Sequence, residues 1–126
     1  MPNQIQNPKN KKYDLEERTA IFGENTIKFI KTLQNNNINR PITSQLIRSA
    51  TSIGANYCEA DGAESKKDFQ HKIALCKKEG KEAKHWFRML SVVNPKQKEK
   101  CRELWKEAHE LVLIFSKIIN NPKKKK

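Results

Sequence analysis

Between residues 69 and 90, small and apolar residues recur at alternating spacings of four and three, and no other pattern in this chain limits its fold so strongly. The positions are Phe69, Ile73, Cys76, Gly80, Ala83, Phe87 and Leu90. Because an α-helix has 3.6 residues per turn, these positions lie along one face of a helix of roughly six turns. A narrow apolar face of this length is typical of a helix that packs against other helices along its whole length.

Three further segments carry the same spacing. Their predicted core positions are Leu15, Thr19, Phe22, Thr26, Phe29 and Leu33 in the first segment, Leu46, Ala50, Ile53, Tyr57 and Ala60 in the second, and Cys101, Leu104, Ala108, Leu111, Phe115 and Ile118 in the last. We predict four helices, at about residues 14–33, 42–60, 65–91 and 95–119. No segment alternates with period two over the length of a strand, so the predicted fold class is all-α. Short connections favour antiparallel neighbours, which predicts an up-down-up-down four-helix bundle over residues 14–120.

The predicted helix starts and ends carry local signals. Candidate capping boxes are Asp14 with Glu17, Ser65 with Asp68, and Asn94 with Gln97, the last enclosing Pro95 at the first helical position. The stretch QNNNINRP, residues 34–41, ends the first helix, because asparagine side chains compete for backbone hydrogen bonds. Gly62 follows the second helix and can adopt the left-handed conformation that ends many helices.

The charge of the chain is large and unevenly distributed. Its 126 residues include 26 lysines and arginines against 14 aspartates and glutamates, a net charge of +12. Residues 1–76 contribute +3 and residues 77–126 contribute +9, of which four charges come from Lys123–Lys126. We interpret residues 1–13 as a flexible polar arm and residues 121–126 as a basic tail. This balance favours polyanionic partners such as RNA or DNA.

The sequence also bears on the compartment. The N-terminal residues contain no apolar segment typical of a secretory signal, and the longest aliphatic or aromatic run, residues 111–115, is far shorter than a membrane span. Three cysteines, an odd number at wide spacing, argue against a disulfide framework. We therefore expect a cytoplasmic protein without a membrane partner.

Motifs for catalysis and for metal or nucleotide binding are incomplete. The sequence HELVL, residues 109–113, begins like a zinc protease motif but has Leu113 where the second histidine is required. The cysteines and histidines lack the close spacing of structural zinc sites, and the sequence has no glycine-rich phosphate loop. Glu59 is the best single candidate for a functional carboxylate, but a local role, as the ion-pair partner of a basic neighbour or a hydrogen-bond acceptor near the turn, explains it better. We expect no enzymatic activity, no cofactor and no bound metal.

Two rows of cations are the candidate functional surface. The row on the third helix is Lys67, Lys77, Lys81, Lys84 and Arg88, and the row on the fourth helix is Lys98, Arg102 and Lys106. Rows of lysine suit sequence-independent contact with phosphates better than base recognition. Glutamates on the fourth helix are close enough in sequence to compensate much of the second row. The alternative interpretation is a solvated face that serves only solubility.

A second apolar stripe lies beside the core positions of the third and fourth helices. It consists of Trp86, Met89, Trp105, Val112 and Ile119. Either the core face is wide, or these side chains form a subunit interface, since a small bundle rarely needs so much additional apolar surface. The glycines at positions 23, 54 and 80 lie one per predicted helix, and we attribute them to close approach of neighbouring helices.

Residues 46–90 contain the run RSATSIGAN, then Glu59, then ESKKDF at the start of the third helix. On these motifs the chain resembles the four-helix-bundle family encoded in 23S rRNA intervening sequences, also labelled S23 ribosomal protein. The resemblance implies a homopentameric ring of bundles, with the second apolar stripe between subunits. A related family, the accessory variability determinant of diversity-generating retroelements, has a basic surface and works with a reverse transcriptase and nucleic acid.

These observations lead to two hypotheses about function. The leading one is a non-catalytic, homopentameric accessory protein that binds RNA or DNA phosphates through the two rows of cations, independently of sequence. The alternative is a protein-interaction scaffold whose ring docks a partner such as a reverse transcriptase, with the lysines only maintaining solubility.

Overall fold

The computed structural model describes residues 14–121, and this part of the chain folds into four α-helices. They are α1, Leu15–Ile30; α2, Asn39–Asp61; α3, Lys66–Val93; and α4, Lys98–Asn120, with a 3₁₀ turn, Pro95–Gln97, before α4. Residues 14–121 contain no strand, and for them the all-α prediction is confirmed. The predicted arm, residues 1–13, and residues 122–126 of the predicted tail lie outside the described residues. Among the described helices, none has an apolar stretch long enough to cross a membrane.

The helices form a four-helix bundle around one core. Helix α3 packs extensively against α2 and α4, while α1 packs against α2 and, less extensively, against α4. At the centre of the core, the rings of Phe22 and Phe87 meet edge to face with their centroids 6.2 Å apart. The predicted core positions are buried, except for Leu33, Tyr57, Phe69 and Ile118, which are partly buried. The spacing of four and three therefore predicted the inner face of every helix.

Two threonines lie in the core face of α1, and both hydroxyls are satisfied within the helix. Thr19 donates a hydrogen bond to the carbonyl oxygen of Leu15 at 2.7 Å, and Thr26 donates one to that of Phe22 at 2.9 Å. Because these bonds occupy the hydroxyls locally, the two side chains can be buried without leaving an unpaired polar group.

Gly80 permits close contact between α3 and α4. A Cβ atom at this position would lie 2.8 Å from Cγ2 of Val112, and a β-branched side chain in a helix has little freedom to move away. Gly54 has a similar role between α1 and α2, where a Cβ atom would lie 3.3 Å from Oγ1 of Thr19. The attribution of these two glycines to helix packing is confirmed. Val112 itself is 7% exposed, so a second subunit could contact only a small part of this predicted interface residue.

Local sequence signals predicted two of the helix starts correctly. A side-chain oxygen of Asp14 accepts a hydrogen bond from the backbone N–H of Glu17 at 3.2 Å, and Ser65 accepts one from that of Asp68 at 3.0 Å. The prediction for Gly62 is wrong, because this residue follows α2 with φ at −99° and is not left-handed.

The predicted helix cap at Asn94 is also wrong, because its side chain bonds to other elements. Its Nδ2 donates to Oδ1 of Asn39 at 2.9 Å and to the carbonyl oxygen of Leu90 at 3.0 Å, and Asn39 donates back to Asn94 Oδ1 at 3.2 Å. Helix α4 begins only at Lys98, without a side-chain cap. Asn39 is buried and starts α2, three residues earlier than predicted. The amide pair thus ties the start of α2 to the end of α3.

Candidate nucleic-acid interface

An ion-pair cluster between α1 and α4 occupies two of the glutamates that were expected to compensate the cations of α4. Arg18 Nε donates to Glu107 at 2.7 Å, and its Nη2 donates to Glu107 at 2.9 Å and to Glu110 at 3.2 Å. The hydrogen bonds to Glu107 raise the pKa of Arg18 above its already high ordinary value. The expected compensation is therefore wrong for these two glutamates, which pair across the bundle.

A second cluster, between α2 and α3, engages the acids of α3. Arg48 donates to Glu82 at 2.5 Å and to Glu79 at 3.4 Å, and the indole N–H of Trp86 donates to Glu82 at 3.1 Å. Burial acts to raise the pKa of Glu82, but the hydrogen bonds from Trp86 and Arg48 outweigh it and lower this pKa. Both glutamates are thus directed toward α2, away from the predicted row of cations.

The cations that were predicted to contact phosphate have no acidic partner among the described residues. Ion pairs within residues 14–121 involve only four other basic residues, which are Arg18, Arg48, Lys72 and Lys100. The predicted set is Lys67, Lys77, Lys81, Lys84, Arg88, Lys98, Arg102 and Lys106. Their positive charge is therefore not cancelled by direct contact with the carboxylates that the structure describes.

Three of these cations meet in a groove between the end of α3 and the start of α4. The groove has a volume of about 340 Å³ and is lined by Phe87, Arg88, Ser91, Lys98, Cys101, Arg102 and Trp105. Among these lining residues none carries a carboxylate. We call this set of seven residues the basic groove.

Trp105 lines the basic groove and packs against His109 and Lys84. Its indole stacks on the ring of His109, with centroids 5.1 Å apart and an interplanar angle of 15°, and the Lys84 ammonium lies 4.8 Å from the indole centroid. Lys84 Nζ is 3.0 Å from His109 Nδ1. Because an ammonium group has donors only, Nδ1 is the acceptor, and the imidazole proton is on Nε2. Lys84 thus contributes charge next to the groove while its ammonium is engaged with His109 and Trp105.

The other predicted cations do not belong to this groove. Lys67 lies in the first turn of α3, about 32 Å along the helix axis from Arg88. Lys77 is half-buried, whereas Lys81 and Lys106 are exposed, and none of the three lines the groove. The predicted row on α3 is therefore an extended stripe, and only its C-terminal part joins the row on α4.

A second cleft lies at the turn between α2 and α3 and has the opposite charge. Its volume is about 630 Å³, and it is lined by Glu59, Gly62, Ala63, Glu64, Ser65, Asp68 and Lys72. We call this set the acidic cleft. Lys72 Nζ donates to Glu59 at 2.8 Å, so the pairing of Glu59 with a basic neighbour is confirmed. No group of three or more His, Cys, Asp or Glu side chains within residues 14–121 is arranged to hold a metal ion.

The predicted interface residues have different environments. Trp86 is half-buried, bonded to Glu82 and packed edge to face against the His85 ring at a centroid distance of 4.8 Å. Met89 and Ile119 are also half-buried, and Ile119 packs against the core. Trp105, predicted as an interface residue, lies in the basic groove.

The position of Trp105 in the basic groove had a signal in the sequence. Lys98, Arg102, Trp105 and His109 follow one another at spacings of four, three and four, which places them on one face of a helix. The indole was instead grouped with Val112 and Ile119, seven and fourteen residues further along. Both groupings are compatible with helical spacing, and the position of α3 decides between them.

The fold and this surface describe a small four-helix bundle with a basic groove at one end and an acidic cleft at the other. The family model of the 23S rRNA-intervening sequence protein matches residues 11–121, and the chain belongs to that family. The chain is also similar to a protein of unknown function from the S23 ribosomal protein family of Bacteroides thetaiotaomicron, whose crystal structure superposes with a TM-score of 0.76 at 28% identity, covering 83% of this chain and 94% of that one. No curated protein matches the sequence.

Proposed function

We propose that this protein is a non-catalytic accessory protein that binds nucleic acid through the basic groove. The observation that carries the proposal is that Arg88, Lys98 and Arg102 converge on one groove whose lining residues include no carboxylate. The name of the family, which refers to an intervening sequence of 23S rRNA, supports RNA as the natural partner.

The chemistry of the groove suits phosphate groups. Arg88 and Arg102 each present a planar guanidinium that can donate two parallel hydrogen bonds to one phosphate, and Lys98 adds a mobile point charge. Such contacts fix the position of a nucleic-acid backbone without reading its sequence. The exposed Lys81 and Lys106, outside the groove, extend the positive surface along which a longer strand could run.

We also propose that the bundle is antiparallel and that copies of it assemble into a homo-oligomer, with a ring of five as the expected form. The contacts between α1 and α2 run in opposite directions along the two helices, since Gly23 lies next to Thr51 whereas Gly54 lies next to Thr19. The half-buried Met89 and Trp86 and the 54% exposed Leu113 provide apolar surface for a subunit contact. All three cysteines are free, which supports a reducing compartment such as the cytoplasm.

The proposal is tested by titrating salt against binding. The affinity of the full chain is measured for a structured RNA, a DNA duplex and a single strand, together with the variant Arg88→Gln/Arg102→Gln and the matched variant Lys66→Gln/Lys67→Gln. Each lost phosphate contact flattens the slope of log affinity against log salt by about 0.9 for duplex and about 0.7 for single strands. The groove variant should therefore lose between about 1.4 and 1.8 units of slope, and the matched variant almost none.

The terminal lysines need a separate control. A variant with Lys123–Lys126 replaced by serine should retain the response to the groove substitutions, because the groove is made of residues 87–105. If the wild-type chain binds none of the three nucleic acids at physiological salt, the proposal is wrong. The alternative, a ring that docks a protein such as a reverse transcriptase, would then replace it.

A further inference from the structure

We infer that the basic groove takes a single unpaired nucleotide, with its phosphate on Arg88, Lys98 and Arg102 and its base against the indole of Trp105. The inference rests on the proposed function, since it names the form of nucleic acid that the same groove recognises. It adds base stacking to phosphate binding, and so distinguishes single strands, loops and ends from continuous duplex.

The first argument is the position of Trp105 relative to its neighbours. The Lys84 ammonium is hydrogen-bonded to the imidazole that stacks on the indole, so both groups lie on the same side of Trp105. Neither Lys84 nor His109 lines the groove, whereas Trp105 does. Trp105 therefore contributes to the groove on a side that neither Lys84 nor His109 occupies.

The second argument is rigidity. The stack on His109 and the nearby ammonium group hold the indole in one orientation before any ligand arrives. A fixed aromatic wall loses little conformational freedom when a base stacks on it. A cation close to the indole also favours the negatively charged strand that carries the base. Lys84 and His109 are positioning residues in this arrangement.

The third argument is size and accessibility. A groove of about 340 Å³ lies at the lower end of the roughly 300–1,000 Å³ range of small-ligand sites, which suits one nucleotide and is too small for a duplex segment. Inside a duplex the faces of the bases are covered by their neighbours, so an indole can stack only on a base that is unpaired or displaced. Because three cations line the same groove, the phosphate of the stacked nucleotide itself can contact them.

The experiment compares oligonucleotides that differ only in their bases. Ten-residue single strands of RNA and of DNA, and an abasic DNA strand with the same phosphates, are titrated against the full chain and against Trp105→Leu. The wild type should bind the base-containing DNA about 5- to 150-fold more tightly than the abasic strand. Trp105→Leu should lose that preference while it keeps the wild-type affinity for the abasic strand and the same salt slope.

Two controls separate stacking from other roles of the indole. Trp86→Leu removes the other tryptophan, which bonds to Glu82 away from the groove, and should keep the preference for bases. In Trp86→Phe, the fluorescence of the remaining Trp105 should be quenched by the base-containing strand and not by the abasic strand. This second measurement keeps Trp105 intact and is valid even if Trp105→Leu fails to fold.

The outcomes separate this inference from the proposed function. Equal affinity of the wild type for base-containing and abasic strands overturns the nucleotide inference while phosphate binding stands. Failure of the wild type to bind either strand overturns the nucleotide inference, and the proposed function is overturned with it only if the structured RNA and the duplex are not bound either. A change in oligomeric mass of Trp105→Leu, measured by light scattering, would make Trp105 a subunit contact and would also contradict the inference.

Discussion

The two ends of α3 lie about 40 Å apart along the helix axis and carry opposite charge for different reasons. At its start, the acidic cleft is explained by the fold. Glu64 and Asp68 stand at the N-terminus of α3, where the helix dipole favours negative charge, and Glu59 is paired with Lys72. Each carboxylate that lines the acidic cleft therefore has a structural reason.

The basic groove at the end of α3 is different. Arg88 lies near the C-terminus of α3, where the helix dipole favours a cation, but Lys98 is the first residue of α4, where the dipole disfavours one. The polar anchor of this end is instead the uncharged amide pair Asn39–Asn94. Helix dipoles and pairing thus explain the charges of the acidic cleft and of Arg88, whereas Lys98 in the basic groove has no such structural reason, which agrees with the proposed binding of a polyanion.

The largest expected difference between the two ends is in nucleic-acid affinity. Arg88→Glu/Arg102→Glu and Lys66→Glu/Lys67→Glu change the net charge equally, but only the first pair alters the groove. Losing two charged hydrogen-bonding groups should lower the affinity by about 1,000-fold at low salt. The second pair should lower it less than about 3-fold, because those lysines act only through screened long-range charge. Similar losses in both variants, measured by fluorescence anisotropy, would show that net charge and not the groove binds the ligand.

A smaller difference is expected in the reactivity of cysteines at the two ends. Burial raises the pKa of the thiol of Cys101, one of the residues of the basic groove, to about 11. At pH 8 such a thiol is about 0.1% thiolate, whereas an ordinary cysteine with a pKa of about 8.5 is about 24% thiolate, so alkylation of Cys101 should be about 200-fold slower than that of an ordinary exposed cysteine. Cys58, near the acidic cleft, is exposed and should react first. The two alkylation rates are measured by mass spectrometry after a timed iodoacetamide pulse. Equal rates at Cys101 and Cys58 would contradict the burial of Cys101.

The same burial gives a pH dependence of stability. A raised thiol pKa means that the folded state holds its proton where the unfolded chain has lost it, so the free energy of unfolding falls as pH rises. The fall attributed to Cys101 should occur between the ordinary thiol pKa of about 8.5 and about 11. Cys101→Ala, compared with wild type by urea unfolding across this range, should weaken the dependence.

The smallest expected difference is in stability. Asn39→Ala leaves the side chain of Asn94 without its buried partner and should lower the free energy of unfolding by about 2 kcal/mol, about 30-fold in the folding equilibrium. Glu59→Gln, which removes an exposed ion pair at the other end, should leave it within experimental error. Chemical denaturation of both variants measures this contrast. A larger loss of unfolding free energy in Glu59→Gln than in Asn39→Ala would contradict the conclusion that the Asn39–Asn94 pair is the stronger interaction.

The sequence predicted the helices and their inner faces because both depend on spacing within one segment. It predicted the starts of α1 and α3 for the same reason, since Asp14 and Ser65 act on N–H groups three residues away. It failed at Asn94, whose partner Asn39 is 55 residues distant.

The same limit applies to the candidate site. Spacing identified Arg88 and Arg102 as members of rows, but only the packing of α3 against α4 brings them to one groove. The glutamates of α4 were expected to neutralise their own helix, and Arg18 of α1 engages two of them instead. Interactions between helices therefore decided which cations stay available.

The most direct test of the account is a site-resolved titration. A ¹⁵N-labelled full chain is followed by TROSY spectra while a ten-residue single strand is added. The account predicts that the shifts concentrate on residues 88–105, including the indole N–H of Trp105, and leave residues 59–72 unchanged. Shifts spread evenly over the helices, or concentrated at the acidic cleft, would contradict the claim that nucleic acid binds in the basic groove.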